Sequence, residues 1–423
     1  MKRAIIALLL GVLAVLALVL LLNFRGEDKI HDAPPLTPPA GESVARGAYL
    51  VRAGNCMACH TERGGAPFAG GRAIETPFGT AYASNITPDK ATGIGDWSAS
   101  HFWRALHNGR SRDGRLLYPA FPYPNYTLVT RADSDAMFDY LRSVKPVARA
   151  NTPHRLRWPY STQAALAVWR AMYFSPAAHA DDPAQSPAWN RGAYLVRGLG
   201  HCSACHTTRN ALGASSDLMD LSGGLIPMQN WYAPSLASPV EAGLHDWEPA
   251  QVVRLLQTGV ADRGTVLGPM AEVVLQSTQH MSPADLRAMA VFLKALPRNA
   301  GEAAEGRVAG ARMAERGAKL YEQHCAQCHG DKGEGVPGAY PPLAGSRAVM
   351  LPVTANLVQV VLGGGFPPAT TGNPRPFGMP PFATLLSDDD VAAVISHIRS
   401  AWGNDAGAVS EFTVSQQRGS IGP

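Results

Sequence analysis

The longest hydrophobic run of the chain lies at its start. Nineteen consecutive apolar residues, Ala4 to Leu22, follow the basic residues Lys2 and Arg3. A helix of this length spans the hydrocarbon core of a bilayer, and basic residues before it favour a cytoplasmic N-terminus. The run is longer than the apolar core of a usual signal peptide, and no small-residue cleavage site follows it. We therefore predict an uncleaved signal anchor, a transmembrane helix, over residues 1–29, with the remainder exported. A cleaved signal peptide is the alternative.

Helical periodicity returns three times further along the chain. Each time, a hydroxyl residue is followed three positions later by aspartate, which is a signature of a capped helix start. Apolar side chains then recur at three- and four-residue spacing, which predicts one buried face for each helix. The capping residues are Thr130, Ser282 and Ser387, and the apolar positions are Met137, Tyr140, Leu141, Val144, Leu286, Met289, Phe292, Leu293, Val391, Val394, Ile395 and Ile398.

Each of these helices closes one copy of an internal repeat. The copies open on RGAYLVRAGNC, RGAYLVRGLGHC and RGAKLYEQHC, at Arg46, Arg191 and Arg316. Within the connection between the first two copies, the apolar and aromatic segment 154–174 indicates either a partner- or membrane-contacting helix or an inter-domain packing helix. Composition predicts a proline-rich tether at 30–43, the three copies at 44–150, 187–299 and 311–404, a connecting segment at 151–186, a linker at 300–310 and a tail at 405–423.

All six cysteines of the chain fall in three Cys-x-x-Cys-His motifs. A Cys-x-x-Cys pair alone is compatible with half a zinc site or a redox dithiol. A histidine directly after the second cysteine, three times over, indicates covalent attachment of c-type haem. The two thiols add to the haem, and the imidazole becomes the proximal iron ligand. We predict three covalently bound haem c groups, attached through Cys56, Cys59, Cys202, Cys205, Cys325 and Cys328, with His60, His206 and His329 as proximal ligands.

The predicted fold class is all-α, with three tandem class I cytochrome c domains after the transmembrane anchor. The chain has 42 glycines and 34 prolines, which favour short helices joined by long ordered loops around a large flat cofactor. Its formal charge of +4 is small, and no basic cluster indicates nucleic-acid binding. No nucleophile–base pair, phosphate loop or carboxylate dyad stands out, so we predict no catalytic residues.

Methionine is the expected sixth iron ligand, because its soft thioether favours ferrous iron and raises the reduction potential. In the third copy Met379 lies in FGMPPF, 50 residues after His329. In the second copy Met270 lies in LGPMAEVV, 64 residues after His206. Both follow the same order of loop, proline neighbour and capped helix, so we predict that Met270 and Met379 are iron ligands.

The first copy has Phe121 at the corresponding place, in YPAFPYPNY, and phenylalanine cannot bind iron. Met137 aligns with Met289 on the apolar face of the closing helix, so it is expected in the core. His101 or His107 could replace the methionine as a ligand; the alternative is that both are ordinary surface histidines. The first haem is therefore either unusually ligated or five-coordinate.

Several phrases occur in order with the haem motifs: RGAYLV, SNITPD, YPAFPYP, AVWRAM, STQHMSPADLRAMAVFLKALP, PPLAGS and the closing AWGN. On these phrases, over roughly residues 45–404, the chain resembles the triheme cytochrome c subunits of bacterial membrane-bound alcohol, gluconate, sorbitol and fructose dehydrogenases. Several members have methionine where this chain has Phe121. YPAFPYP and RGLGHCSACHTTRNALGA also resemble cytochromes paired with molybdenum hydroxylases.

The resemblance implies electron transfer rather than substrate chemistry. A periplasmic dehydrogenase large subunit oxidises its substrate with flavin, pyrroloquinoline quinone or a molybdenum cofactor, and electrons pass through the three haems to ubiquinone or a terminal oxidase. The expected location is the bacterial inner membrane, with a single N-terminal span and the haem domains in the periplasm. Two alternatives are a free-standing tethered electron carrier and a peroxidase-type enzyme that uses an open first haem.

Overall fold

The computed structural model describes every residue except 28, 31, 34–36, 216–219, 300, 302–307 and 420–423. The predicted tether at 30–43, linker at 300–310 and tail at 405–423 therefore lie partly outside the described residues. Apart from these positions, the chain divides into two compact units. The first comprises Met1–Asp182, Tyr194–Ala204 and Arg209–Leu218, and the second comprises Pro183–Ala193, Cys205–Thr208 and Met219–Pro423.

The N-terminal part of the chain alternates helices with short strands. Its elements are α1 (Lys2–Asn23), α2 (Gly41–Ala53), α3 (Cys56–His60), β1 (Ala73–Thr76), β2 (Gly79–Tyr82), α4 (Ala99–Asn108), α5 (Tyr123–Tyr126), α6 (Arg131–Ser143), β3 (Arg155–Leu156) and α7 (Gln163–Tyr173). Helix α1 is long and apolar enough to cross a membrane, with a mean hydropathy of 3.4 over its most apolar window.

The middle part begins with the same order of opening helix, motif helix and hairpin. Its elements are α8 (Pro187–Ala193), a π-helix (Tyr194–Leu199), α9 (Ser203–His206), β4 (Gly224–Ile226), β5 (Trp231–Ala233), α10 (Pro249–Thr258), β6 (Val260–Ala261), β7 (Gly264–Thr265), α11 (Gly268–Gln276), a 3₁₀ turn (Thr278–His280) and α12 (Pro283–Lys294). The C-terminal part contains α13 (Ala311–His324), α14 (Ala326–His329), α15 (Arg347–Met350), α16 (Ala355–Gly363), α17 (Asp388–Ser400) and α18 (Glu411–Arg418).

The opening and closing helices of each copy pack against one another: α2 on α6, α8 on α12 and α13 on α17. A glycine lies at each crossing because a side chain there would overlap a backbone carbonyl of the partner helix. The three pairs are Gly47 with Ala136, Gly192 with Ala288 and Gly317 with Ala393. The arginine before each glycine forms an ion pair with the capping aspartate: Arg46 with Asp133, Arg191 with Asp285 and Arg316 with Asp390.

The predicted caps of the closing helices are confirmed. The hydroxyls of Thr130, Ser282 and Ser387 each accept a hydrogen bond from the backbone N–H three residues later. Most of the predicted apolar positions are buried; Tyr140 is half-buried, and Val144 is half-buried just after the end of α6. Met137, Leu286 and Ile395, one from each helix, are at most 1% exposed. In the third copy, that face joins Tyr321, Val358 and Leu362 in one apolar core.

The π-helix of the second copy has a cause in the sequence. Ten positions separate Arg46 from Cys56, whereas 11 separate Arg191 from Cys202. A π-turn, in which N–H groups bond to the fifth preceding carbonyl, absorbs one additional residue in a helix. The N–H of Gly200 accordingly donates to the carbonyl of Leu195 at 2.6 Å.

The all-α expectation requires correction, because short antiparallel strands occur in the described chain. One three-stranded sheet has the order β1-β2-β3, and two hairpins pair β4 with β5 and β6 with β7. Each strand has two to four residues. Strands this short have no alternating apolar pattern from which they could be predicted. The fold is helical with small hairpins in its loops.

Candidate haem attachment sites

Three one-turn helices carry the Cys-x-x-Cys-His motifs: α3, α9 and α14. In a helical turn, residues three and four apart lie on one face, so both cysteines and the histidine of a motif are neighbours. In the first motif, the turn into α3 passes through Asn55 in a left-handed conformation, with φ of 52°. None of the six cysteines forms a disulfide bond.

The three predicted proximal histidines share one hydrogen-bond arrangement. The Nδ1 atom lies 2.7 Å from the carbonyl oxygen of Ser84 for His60, 2.8 Å from that of Pro234 for His206 and 3.0 Å from that of Pro341 for His329. A carbonyl oxygen only accepts, so Nδ1 carries the proton in each neutral imidazole. The lone pair of Nε2 is left for a metal, which is the usual arrangement of an iron-binding histidine.

Burial lowers the pKa of His60, His206 and His329, and the bonds to the carbonyl oxygens offset only part of this effect. The neutral imidazole that binds metal is therefore favoured. Burial and the neighbouring Cys59 raise the pKa of Cys56 to about 12, and burial and Cys328 raise that of Cys325 to about 11. These thiols are protonated near neutral pH, unlike the activated thiolate of a redox dithiol.

Buried polar side chains hold the accepting carbonyl groups in place. In the first copy, Asn85 follows Ser84, is 2% exposed and donates to the carbonyl of Val147 at 2.8 Å. In the second, the N–H of Ser235 donates to the carboxylate of Glu241 at 2.8 Å.

In the third copy, the amide of Asn404 donates to the carbonyl of Leu343 at 3.0 Å, two residues beyond Pro341. The three loops thus use different side chains for the same purpose. The sequence did not reveal the accepting carbonyls, since a backbone acceptor has no side-chain signature.

The donor set fits haem c. Each motif offers two adjacent thiols for thioether bonds and an imidazole whose Nε2 is available to iron. The described residues therefore carry the chemistry that covalent haem attachment requires, and they carry it three times.

The two predicted methionine ligands lie in different local structures. Met379 is half-buried in a loop, and its backbone pairs with Gly365 through N···O distances of 2.8 and 3.0 Å. Met270 is half-buried in the first turn of α11, after Pro269, rather than in a loop. Their role as iron ligands stays a prediction.

Phe121 occupies the position in the first copy that Met270 occupies in the second. Leu117 donates to the carbonyl of Gly109 at 2.8 Å, and Val266 donates to that of Gly259 at 2.9 Å. Phe121 lies four residues after Leu117, and Met270 lies four residues after Val266.

An aromatic cluster surrounds Phe121. Its ring centroid lies 5.3 Å from that of Tyr126 and 6.4 Å from that of Tyr123. The hydroxyl of Tyr126 donates to the carbonyl of Gly54 at 2.8 Å, directly ahead of the first motif. In the first copy, aromatic side chains therefore occupy the region in which the other two copies have Met270 and Met379.

Of the other candidate ligands of the first copy, His101 caps a helix, whereas His107 makes the same kind of Nδ1-to-carbonyl contact as the three motif histidines. His101 holds the N-terminal cap of α4, with Nδ1 2.7 Å from the hydroxyl of Ser98. His107 lies with Nδ1 2.8 Å from the carbonyl of Thr127. Met137 is 1% exposed in the core, as its spacing predicted.

Comparisons with known proteins agree with this chemistry. The family model described as cytochrome c matches residues 44–145 and 314–402. The chain is 39% identical to the alcohol dehydrogenase (quinone) cytochrome c subunit of Gluconobacter oxydans (strain 621H), over 89% of this chain and 82% of that protein. It is 39% identical to the gluconate 2-dehydrogenase cytochrome c subunit of Pantoea cypripedii, over 96% and 93%. It is also 34% identical to the fructose dehydrogenase cytochrome subunit of Gluconobacter japonicus, over 89% and 82%.

Proposed function

The chain belongs to the family of cytochrome c subunits of bacterial dehydrogenase complexes, and from that premise we propose that it is a membrane-anchored triheme subunit passing electrons from a periplasmic dehydrogenase to ubiquinone or a terminal oxidase. As a member of this family it carries covalent haem c and transfers electrons for a catalytic partner. We propose the number of haems, the membrane anchor, the type of partner and the electron acceptor.

One observation supports the number of three above all others: the same Nδ1-to-carbonyl bond at His60, His206 and His329. This bond leaves Nε2 available to a metal, and the position of each such histidine directly after a Cys-x-x-Cys pair favours c-type haem over zinc. Haem iron supplies one-electron transfer by cycling between ferric and ferrous states. The chain's own cysteines would attach the haem, and the backbone carbonyls of Ser84, Pro234 and Pro341 hold the proximal imidazoles.

The second support is the pair of methionines expected on the opposite side of the haem. Met270 and Met379 offer the thioether ligation that stabilises ferrous iron. The first copy lacks such a ligand at Phe121, so its haem differs in potential from the other two. A chain with unequal haems suits an electron relay between a donor and an acceptor.

The proposed location depends on α1. None of the residues in its most apolar window is buried, and so large an exposed apolar surface favours a membrane location. We assign it to the inner membrane, with Lys2 and Arg3 on the cytoplasmic side. The haem copies then lie in the periplasm, where the donor dehydrogenase is also expected.

The partner is a dehydrogenase large subunit with flavin, pyrroloquinoline quinone or a molybdenum cofactor. The similarity to subunits named for alcohol, gluconate and fructose dehydrogenases supports a dehydrogenase partner without choosing within this range. Mild-detergent purification of the tagged chain from its native membrane, followed by analysis of the co-purified chains and cofactors, tests the partner.

Intact-mass measurement of the purified chain tests the haem number. Three covalent haems are expected in the native chain and two after Cys325→Ser with Cys328→Ser. A chain that purifies alone, or one that carries fewer than three haems, contradicts the proposal. In the first case the free-standing carrier becomes the better description.

A further inference from the structure

Helix α7 buries its charged side chain and exposes apolar ones. Its sequence, QAALAVWRAMY, contains one charged residue, Arg170, and that residue is 3% exposed. The opposite face carries Val168 and Met172, which are 45% and 54% exposed. Residues four apart share a helix face, so these two side chains form one apolar stripe. A surface helix normally places its charged side chains outward.

Buried polar contacts fix α7 against the end of α1. The Asn23 side chain donates to the carbonyl of Ala167 at 2.8 Å and accepts a bond from Nε of Arg170 at 3.0 Å. Arg110 donates to the carbonyl of Asn23 at 2.9 Å and to the carboxylate of Glu27 at 2.8 Å. Asn23 is 5% exposed, so this is a built junction rather than a loose tether.

The junction places α7 at a definite level of the proposed span. Val19, Leu22 and Asn23 are the residues of α1 that the fold covers, wholly or in part. Val19 and Leu22 lie in the last turn of the apolar run, and Asn23 directly follows it. The run is about 28 Å long at 1.5 Å per residue and so matches the hydrocarbon core. The side chains next to this last turn are therefore at the boundary between hydrocarbon and headgroups.

Aromatic side chains extend the exposed surface of this segment. Trp158, which precedes α7, is 82% exposed, and Tyr173 at its end is 38% exposed. Tryptophan and tyrosine are enriched at the membrane–water boundary, where an apolar ring and a polar edge are both accommodated. The described surface of this segment thus has the composition of an interfacial helix.

We propose that α7 is an interfacial membrane-binding helix, with the Val168–Met172 stripe and Trp158 in contact with the periplasmic leaflet. The bilayer is the occupant that fits, because the surface is continuous with the last turn of the proposed span. The buried Arg170–Asn23 contact directs the charge inward and the apolar stripe outward. The first unit is then held against the membrane at two places. This inference rests on the proposed anchoring by α1.

Photo-cross-linking in proteoliposomes tests the inference with the full-length haem-loaded chain. Lipids that carry a diazirine near the glycerol end of the acyl chain are irradiated, and modified peptides are identified by mass spectrometry. We expect adducts on α1 and on the peptides Trp158–Arg170 and Ala171–Arg191. Their yield is expected to be roughly tenfold higher than that of the peptide 210–254, which carries the exposed side chains Leu225 and Met228.

Two variants separate contact from chance labelling. Met172→Asp is expected to reduce the adduct yield on Ala171–Arg191 several-fold and leave α1 labelling unchanged. Leu225 is a similarly exposed apolar residue in the second unit. Leu225→Asp is expected to leave the adduct yields on Ala171–Arg191 and on α1 unchanged. Adducts on α1 with background labelling of both α7 peptides would overturn the interfacial helix and keep the anchor. Background labelling of α1 as well would overturn the proposed anchoring itself.

Discussion

The glycine Gly47 lies so close to the carbonyl of Ala136 that a Cβ atom would overlap it, and such a Cβ would also lie 2.8 Å from the Cβ of Tyr140. The relationship recurs at Gly192 with Ala288 and at Gly317 with Ala393. Close approach of the opening and closing helices is thus a shared construction principle of the three copies. It fixes the point at which each opening helix crosses its closing helix.

Replacing Gly47 by alanine is expected to destabilise the first unit. The added methyl group overlaps backbone, which cannot rotate away, so the helices must separate. Overpacking of this kind costs about 1–3 kcal/mol of unfolding free energy. Thermal unfolding of the haem-loaded protein measures the effect.

Gly41→Ala is the matched control, because Gly41 is on the same helix and has no atom within 4 Å of its Cβ position. It is expected to leave the unfolding temperature unchanged or slightly higher. Equal destabilisation by both substitutions would show that the helix crossing does not depend on the glycine.

The ion pair of Arg191 with Asp285 is expected to contribute measurably to stability. Arg191 donates from Nε at 2.8 Å and from its terminal nitrogen at 2.7 Å, and the Asp285 side chain is 11% exposed. Arg191→Ala leaves a mostly buried carboxylate without its cation, at a cost of about 1–3 kcal/mol. Arg254→Ala removes the exposed pair with Asp262 and should cost less than about 1 kcal/mol. Denaturant midpoints that shift equally for both variants would contradict this ranking.

The contacts of Asp246 predict an acid-sensitive contribution within the second unit. Burial alone would raise the pKa of Asp246, but hydrogen bonds from Arg347 and Arg263 outweigh it and lower the pKa to about 2. A lowered pKa in the folded state stabilises the fold above the unfolded value of 3.8, and this contribution is lost as the pH falls through about 2.

The Asp246→Asn variant is therefore expected to unfold at a lower temperature than the native chain at about pH 6, with the difference shrinking between roughly pH 4 and pH 2. Calorimetry across this range measures it. A difference that stays constant with pH would show that ionisation of Asp246 contributes nothing to stability.

Met379→Ala and Met270→Ala are each expected to lower the reduction potential of one haem and leave the covalent haem content at three. The loss of a thioether ligand weakens stabilisation of ferrous iron. Met228→Ala is the control, since Met228 is 62% exposed and does not lie where the repeat places the expected iron ligand. Redox titration followed by visible absorbance distinguishes them, and unchanged titration curves would refute the ligand assignment.

Phe121→Met is expected to give the first copy the ligand set of the second. Phe121 lies four residues after Leu117, whose N–H bonds to Gly109, and Met270 lies at the same distance from Val266, whose N–H bonds to Gly259. A methionine at position 121 would therefore lie where Met270 lies in the second copy. The expected result is a higher potential for the first haem and a shift to the low-spin spectrum of methionine-ligated iron. An unchanged spectrum, together with peroxide turnover by the native chain, would favour the peroxidase-type alternative.

Local chemistry made much of this structure predictable. Caps such as Ser387 with Asp390 depend on residues three apart, and the haem motifs depend on residues within one turn. The one-residue insertion before Cys202 also explains the π-helix, although only comparison of the repeat copies would have revealed it. The strands were missed because they are at most four residues long. The contacts of Asn23 with Ala167 and Arg170 join residues more than 140 positions apart, which periodicity does not encode.

Time-resolved reduction of the haems in the purified complex tests the electron-transfer role most directly. The complex is mixed with the substrate of its dehydrogenase partner, and a quinone analogue is added afterwards, while haem absorbance is followed throughout. We predict that the haems become ferrous at a rate that keeps pace with substrate oxidation, and that the quinone returns them to ferric. Substrate oxidation coupled to quinone reduction with haems that stay ferric, or that reduce far more slowly than turnover, would contradict this role.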